Sequence, residues 1–211
     1  MMMIDTQHIT GLVLAGGRGA RMGGLDKGLQ LFRGLPLAQH ALRRLQPQVG
    51  NLLLNANRNL TAYAAFGVPV WPDAQTDYPG PLAGFLAGLT HCTTPWLLTA
   101  PCDTPLFPTD LAARLAEVAE REGSDIAMAA GPEPDAQGQP VLRPQPVFCL
   151  LRATLRQGLA EHVAAGGSKV RAWAQQQRCS VVPFDRLGDA PDAFANANTL
   201  AELQALQSPT D

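Results

Sequence analysis

The stretch that decides the fold is ITGLVLAGGRGARMGGLDK, residues 9–27. Its first seven residues are mostly apolar and too few for a helix, which predicts a buried strand over 9–15. Five glycines, two arginines and one lysine follow within the next twelve residues. Because glycine lacks a Cβ atom, the N–H groups of such a loop can approach a phosphate closely. The stretch therefore predicts a phosphate-binding loop at the carboxyl end of a strand.

Two familiar phosphate-binding patterns do not fit this loop. The dinucleotide pattern GxGxxG fails because Met22 occupies its last glycine position when the count starts at Gly17. The pattern GxxxxGK[ST] fails because two residues separate Gly24 from Lys27. Arg21 and Lys27 still add two cations to the loop, which favours a triphosphate over a single phosphate.

Short apolar runs alternate with amphipathic stretches along the rest of the chain. Strands are predicted over 51–56, 68–71, 96–100, 125–130, 146–151 and 179–184, and helices over 36–47, 81–92, 109–122, 152–165 and 168–177. Pro36 is predicted as the first helical residue of its helix, and Thr109 or Asp110 as a helix cap. Residues 131–140 are predicted to form a polar loop, and Thr199 with Glu202 forms a capping box before a last helix. This pattern indicates an α/β fold with a mainly parallel sheet and helices on both faces.

The charge balance and the cysteines argue against several classes of protein. The formal net charge is −2 and the cations are scattered, so neither a nucleic acid nor a membrane is indicated as a partner. The four cysteines include no CxxC pair, which argues against a zinc site or a disulfide framework. Residues 78–102 carry no formal charge, but prolines and polar groups interrupt them, so a buried helix and strand are predicted instead of a membrane span. Free thiols and an N-terminus without a signal-peptide pattern favour the cytoplasm.

Five motifs together resemble one family, the molybdenum cofactor guanylyltransferases. They read LAGGRGARMGGLDKGL (14–29), NANRN (55–59), PDAQTDYPGPLAG (72–84), PCDTP (101–105) and FANANT (194–199). The resemblance implies a single-domain, Rossmann-like nucleotidyltransferase over 1–211, with the nucleotide bound by about 9–110 and the acceptor side completed by about 125–211. It implies transfer of GMP from GTP to the phosphate of molybdopterin with Mg²⁺ as cofactor. It also implies a monomer whose product passes to molybdoenzyme-maturation proteins.

Asp103 is an acidic residue whose position in the sequence suggests a functional role. It follows a buried strand, and ligands of open α/β sheets bind at the carboxyl ends of the strands. A carboxylate there could hold Mg²⁺ or simply form a turn with the residues that follow. The resemblance implies that Asp103 is the metal ligand. Arg21 and Lys27 could neutralise charge on the leaving pyrophosphate, so Arg21, Lys27 and Asp103 are predicted to be the catalytic residues.

Two asparagines near the end of the chain are candidates for the acceptor side. Asn196 and Asn198 stand two apart, which places both side chains on one face of an extended segment. Their neutral amides suit a second metal ligand or a polar pterin, and Asn198 could instead simply help to start the last helix. The four histidines show no pattern of partners. The residues implied to bind GTP are Leu14, Ala15, Gly16, Lys27, Asn55, Asp73 and Asp103.

Three other functions are compatible with the same motifs. A cytidylyltransferase is the nearest, although Gly16 and Gly17 favour guanine because that group more often has LAAG. A sugar-phosphate nucleotidyltransferase shares the first motif, and a GTP-binding regulatory module without catalysis is the most distant alternative. No Ser/His/Asp or Cys/His set is evident. That absence agrees with a phosphate nucleophile, which is already ionised at neutral pH and needs no general base.

Overall fold

The computed structural model describes residues 4–17, 25–74, 80–197 and 199–205. The strands of this part of the chain are β1 Ile9–Leu14, β2 Leu31–Phe32, β3 Leu35–Pro36, β4 Asn51–Asn55, β5 Val70–Trp71, β6 Trp96–Pro101, β7 Ile126–Pro134, β8 Pro140–Arg152 and β9 Cys179–Pro183. The helices are α1 Leu37–Leu45, α2 Leu60–Ala64, α3 Pro81–His91, α4 Leu111–Glu122, α5 Arg156–Ala164, α6 Val170–Ala174 and α7 Leu200–Ala205. None of these helices is long and apolar enough to cross a membrane.

Seven of the strands form one sheet in the order β5-β4-β1-β6-β8-β7-β9, while β2 and β3 form a separate small hairpin. Strand β1 runs parallel to both β4 and β6, and β4–β5 and β7–β9 are also parallel pairs. Strand β8 is antiparallel to β6 and to β7. The predicted α/β fold with a mainly parallel sheet is therefore confirmed, with β8 as the exception.

The order of the strands fixes where a ligand can bind. From β1 the chain builds β4 and β5 on one side and then crosses to β6 on the other side. Such a reversal leaves a crevice at the carboxyl end of the central strand. The glycine-rich loop leaves β1 at that point.

Both faces of the sheet are covered by helices. In β1 the adjacent residues Leu12 and Val13 point to opposite faces of the sheet and belong to different hydrophobic clusters, one on each face. Leu45 of α1 and Leu115 of α4 pack into the cluster of Val13, and Phe85 of α3 packs into that of Leu12. The uncharged stretch before Asp103 forms α3 and β6, as predicted, and supplies much of this core.

The polar loop predicted over residues 131–140 is wrong, because most of it belongs to a β-hairpin. Strand β7 continues to Pro134 and β8 begins at Pro140, with the pair Glu133↔Val141 in register. A turn closes the hairpin, in which the Asp135 side chain accepts hydrogen bonds from the backbone of Gln137 and Gln139. Strand β9 pairs with β7 only as far as Ala130, so the prolines of β7 lie on an open edge. A missing N–H is tolerated at such an edge.

Several predicted boundaries also shift. The strand predicted over 68–71 is reduced to Val70–Trp71, and the helix predicted from about residue 152 begins at Arg156 after a 3-10 turn, Ala153–Leu155. Pro36 ends β3 instead of opening the helix, which begins at Leu37. The helix predicted over 168–177 is shorter, Val170–Ala174.

The predicted helix caps have different outcomes. Asp110 occupies the N-cap position of α4, but its side chain caps no N–H group and lies 3.6 Å from Arg114 Nη1 instead. The cap of the last helix is confirmed, because the N–H of Glu202 donates to Thr199 Oγ1 over 3.1 Å. This cap holds the segment that leads away from the FANANT motif.

Candidate functional site

A cavity of about 990 Å³ lies at the carboxyl ends of the parallel strands and extends to β8. Its size is in the upper range for small-molecule sites. All the residues predicted to bind GTP line it, and Asn196 does so too: Leu14, Ala15, Gly16, Lys27, Asn55, Asp73, Asp103 and Asn196. Two predicted site residues are outside the described part of the chain, namely Arg21, predicted to be catalytic, and Asn198, predicted to lie on the acceptor side.

The backbone at the start of the glycine-rich loop is tied to both neighbouring strands. The N–H of Ala15 donates to the carbonyl of Asn55 over 2.8 Å, and the N–H of Cys102 donates to the carbonyl of Leu14 over 3.0 Å. A Cβ atom on Gly16 would lie 2.9 Å from Asn57 Nδ2, closer than a Cβ atom can approach a neighbour. The loop therefore begins at a fixed point, where a side chain on residue 16 would displace the amide of Asn57 from its hydrogen bonds.

Asp73 is held by two asparagines from β4 and the turn that follows it. Asn55 Nδ2 donates to Asp73 Oδ1 over 2.8 Å, and Asn57 Nδ2 donates to Asp73 Oδ2 over 2.7 Å. The Asn57 side chain also accepts from the N–H of Asp73 over 2.8 Å. Both carboxylate oxygens are thus fixed, and each keeps capacity to accept a further hydrogen bond from a ligand.

Asn57 is a cavity residue that the sequence reasoning missed. It stands two positions after Asn55 in the NANRN motif, and that spacing was the one available signal. The side chain of Asn55 is enclosed more tightly, since the residue is 2% exposed and a Cβ atom on Gly84 would come within 2.6 Å of Asn55 Oδ1. Helix α3 can approach β4 this closely only because Gly84 has no side chain.

Lys27 and Asp103 form an ion pair in the cavity. Lys27 Nζ lies 2.6 Å from Asp103 Oδ2, and the two side chains are 19% and 22% exposed. Lys27 comes from the far end of the glycine-rich loop, whereas Asp103 follows β6. The pair is therefore the point where the two main motifs of the sequence meet.

The residues around Asp103 hold it in place from the other end of the chain. The N–H of Ala197 donates to the carbonyl of Asp103 over 2.8 Å. The fully buried Thr104 donates its hydroxyl to Asn196 Oδ1 over 2.6 Å. The Asn196 side-chain N–H groups are not used in that bond, and they can serve a ligand in the cavity.

Strand β8 contributes a wall of the cavity that was not predicted. Gln145, Pro146, Val147 and Phe148 line it, next to the end of β6. Gln145 is 9% exposed and donates to Glu133 Oε1 across the hairpin over 2.7 Å. Sequence reasoning missed Gln145 because it treated the preceding stretch as a loop.

Asp103 offers the kind of ligand that a magnesium ion takes in proteins. Among the described residues, no group of three His, Cys, Asp or Glu side chains could hold a metal alone. Mg²⁺ commonly binds one or two carboxylates, substrate phosphates and water, so the single carboxylate of Asp103 meets the requirement for a protein ligand. A cavity of this volume leaves room for the phosphates.

The thiol of Cys102 is not suited to act as a nucleophile. It is buried beside Asp103, and burial together with the charge of Asp103 raises its pKa well above the ordinary value. A thiol that stays protonated is inert. No histidine of the described residues lines the cavity; His91, for example, stacks on Trp71. Cys102 therefore packs in the hydrophobic core instead of attacking a substrate.

The chain is similar to known proteins in its family model, its sequence and its structure. The model of the MobA-like NTP transferase domain matches residues 11–189. The molybdenum cofactor guanylyltransferases of Acidovorax sp. (strain JS42) and Bordetella pertussis are 68% and 59% identical to this chain, covering 97% and 98% of it and 98% and 100% of the relatives.

Two solved structures show the same fold at low identity. Molybdopterin-guanine dinucleotide biosynthesis protein A from Archaeoglobus fulgidus matches with a TM-score of 0.73 at 20% identity, over 94% of this chain and 96% of that one. The 4-diphosphocytidyl-2C-methyl-D-erythritol synthase from Anaerococcus prevotii matches with a TM-score of 0.71 at 11% identity, over 96% and 98%. These two structures show the fold alone, and the sequence relatives show the family.

Proposed function

Because the chain belongs to the molybdenum cofactor guanylyltransferases, within the MobA-like NTP transferases, we propose that it transfers GMP from GTP to the phosphate of molybdopterin in this cavity. The observation that carries this assignment is the position of the Lys27–Asp103 pair. It lies between the glycine-rich loop with Asp73 on one side and the wall formed by β8 on the other. Two substrates placed on those sides would meet at the pair.

The nucleotide occupies the side formed by β1, β4 and β5. Gly16 and Gly17 present backbone N–H groups to the phosphates without a side chain in the way. Asp73, fixed by Asn55 and Asn57, accepts hydrogen bonds from donors of the nucleoside. Guanine carries two adjacent N–H donors and ribose carries hydroxyls, and both are suitable partners for a carboxylate.

Lys27 and Asp103 serve the phosphates that react. Lys27 neutralises charge on the pyrophosphate that leaves, and Arg21 of the same loop is assigned the same role because of its positive charge. Asp103 would hold Mg²⁺, which supplies further neutralisation of the phosphate oxygens when it is bound. Electrostatic stabilisation of this kind is most effective in a preorganised site.

The reaction is a displacement at the α-phosphorus of GTP. An oxygen of the molybdopterin phosphate forms a bond to that phosphorus, and the bond to the β-phosphate oxygen breaks with release of pyrophosphate. A phosphate monoester has a second pKa of about 6, so the nucleophile is already an anion at neutral pH. The protein does not have to remove a proton, and its task is to align the two anions.

The acceptor occupies the side formed by β8 and the segment of Asn196. Val147 offers an apolar surface for a pterin ring, and Gln145 and Asn196 offer amides for its polar edge. These residues come from the last third of the chain. We expect the enzyme to work as a monomer in the cytoplasm and to pass its product to molybdoenzyme-maturation proteins.

One incubation tests the assignment. Purified protein is supplied with molybdopterin, Mg²⁺ and equal concentrations of GTP and CTP, and the dinucleotide products are identified by mass. We expect the guanine dinucleotide and pyrophosphate in equal amounts, with little cytosine product. A predominant cytosine product would indicate the cytidylyltransferase, and GTP binding without pyrophosphate release would indicate a regulatory module.

A further inference from the structure

Three consecutive polar residues follow β4 and contact both ends of the glycine-rich loop. We call Asn57, Arg58 and Asn59 the NRN turn. Asn57 Nδ2 donates to the carbonyl of Gly16, at the beginning of the loop, over 3.3 Å. Arg58 Nη2 donates to the carbonyl of Leu25, close to the end of the loop, over 2.8 Å. The turn therefore bonds Gly16 and Leu25, the described residues near the two ends of the loop.

The third residue of the turn acts through a buried carboxylate. Asn59 Nδ2 donates to Asp26 Oδ2 over 2.8 Å, and the hydroxyl of Tyr63 donates to Asp26 Oδ1 over 2.5 Å. Arg58 Nε lies 3.5 Å from Asp26 Oδ2. Asp26 is 8% exposed, and a buried charge persists only when it is paired and hydrogen-bonded in this way. Asp26 is thus fixed, and it directly precedes Lys27.

The residue after Lys27 is fixed by the same tyrosine. A Cβ atom on Gly28 would lie 2.4 Å from Tyr63 Oη and 3.2 Å from Ala15 Cβ, so the backbone of Gly28 packs between them. Tyr63 is fully buried, and burial, followed by its hydrogen bond to Asp26, raises the pKa of its hydroxyl far above the ordinary value. The hydroxyl therefore remains a donor to Asp26 throughout the working pH range.

One residue of the NRN turn has an unfavourable backbone conformation. Asn59 has φ of 50°, in the left-handed region that residues other than glycine rarely adopt. Asparagine is one of the few residues that tolerate it. The conformation directs its amide towards Asp26, while α2 begins at the next residue.

We propose that the NRN turn, together with Tyr63 and Asp26, is a clamp that sets the distance between the two ends of the glycine-rich loop and aims Lys27 into the cavity. Asn59, Tyr63 and Asp26 do not line the cavity, so they are positioning residues that act through Lys27. This inference rests on the proposed function, since Lys27 is taken to face the phosphates that leave as pyrophosphate.

The test uses two variants that remove one hydrogen bond each. Asn59→Gly removes the amide but permits the left-handed backbone, and Tyr63→Phe removes the hydroxyl but keeps the ring. Each should weaken GTP binding about tenfold, the change expected for one lost hydrogen bond to a charged group. Binding of GMP, which has no β- or γ-phosphate, should change less than about twofold. Asn51→Gly, at the exposed opposite end of β4, is the matched control and should change neither affinity.

A double-variant cycle separates aiming of Lys27 from a purely structural effect. In a Lys27→Ala background, Asn59→Gly should have less than about a twofold effect on GTP binding, because the group it aims is already absent. Equal losses for GTP and GMP, or additive losses with Lys27→Ala, would overturn the clamp. Unchanged GTP binding in both single variants would overturn it too. Failure of the parent protein to prefer GTP over GMP would instead count against the proposed function.

Discussion

Replacing Lys27 with alanine should change the binding of a metal ion and of GTP in opposite directions. The Lys27 ammonium lies 2.6 Å from Asp103 Oδ2, so it would compete with a divalent cation for that oxygen. The Lys27→Ala protein should therefore bind Mn²⁺, used as a spectroscopic substitute for Mg²⁺, more tightly in the absence of nucleotide. It should bind GTP more weakly, because a cation assigned to the phosphates is lost.

The exposure of the pair sets the size of the first effect. Exposed ion pairs contribute about 0.2–1 kcal/mol, and breaking a buried pair costs about 3–5 kcal/mol. With side chains 19% and 22% exposed, the Lys27–Asp103 pair lies between these cases. We take about 1–2 kcal/mol for it, which corresponds to a roughly 5- to 30-fold lower dissociation constant for Mn²⁺.

The assay is a titration of Mn²⁺ followed by electron paramagnetic resonance, first without nucleotide, and then calorimetry with GTP. Lys169→Ala is the matched control, because it removes the other lysine of the chain from an exposed position. It should leave both affinities unchanged. Unaltered or weaker Mn²⁺ binding by Lys27→Ala would refute the competition, and so would a gain that persists after Asp103→Ala is added.

Three further changes have defined outcomes. Asp103→Ala should abolish dinucleotide formation while GTP still binds weakly, and near-normal turnover measured by pyrophosphate release would remove Asp103 from the metal role. Gly16→Ala would place a Cβ atom 2.9 Å from Asn57 Nδ2, so GTP affinity in calorimetry should fall about tenfold or more, whereas an unchanged affinity would mean that the loop adapts. Hydrogen bonds from Arg178 lower the pKa of Asp125, so this ion pair contributes full stability above pH of about 4 and loses it as the pH falls through the lowered folded-state pKa. Asp125→Asn should therefore flatten the dependence of the melting temperature on pH below that value, and an unchanged slope would contradict the assignment.

Local signals were sufficient for the part of the fold that carries the glycine-rich loop. The apolar run of β1, the uncharged stretch of α3 and β6, and the cap at Thr199 each depend on residues that are neighbours in sequence. The α/β class followed from their alternation and is confirmed. The position of Asp103 at the cavity could also be predicted from its neighbours in sequence, because it comes directly after a buried strand.

The features that the sequence did not reveal depend on contacts between residues that are far apart along the chain. Pro132 and Pro134 disfavour a strand locally, yet they pair with β8 at an edge where their missing N–H groups are not needed. The roles of Asn57 and Asn59 depend on Gly16 and Asp26, which approach them only in the folded chain. Spacing in the NANRN motif cannot reveal such partners.

The hydrogen bonds that hold Asp103 and Thr104 cannot form until the chain has been synthesised as far as Asn196 and Ala197. Thr104 and Asn196 are hydrogen-bonded although they stand 92 positions apart, and Ala197 bonds the carbonyl of Asp103. At about 5–20 residues per second, a ribosome needs roughly 5–20 s to travel between them. A nascent chain thus carries its glycine-rich loop long before these two hydrogen bonds can form around Asp103, and a prematurely terminated product would lack both bonds.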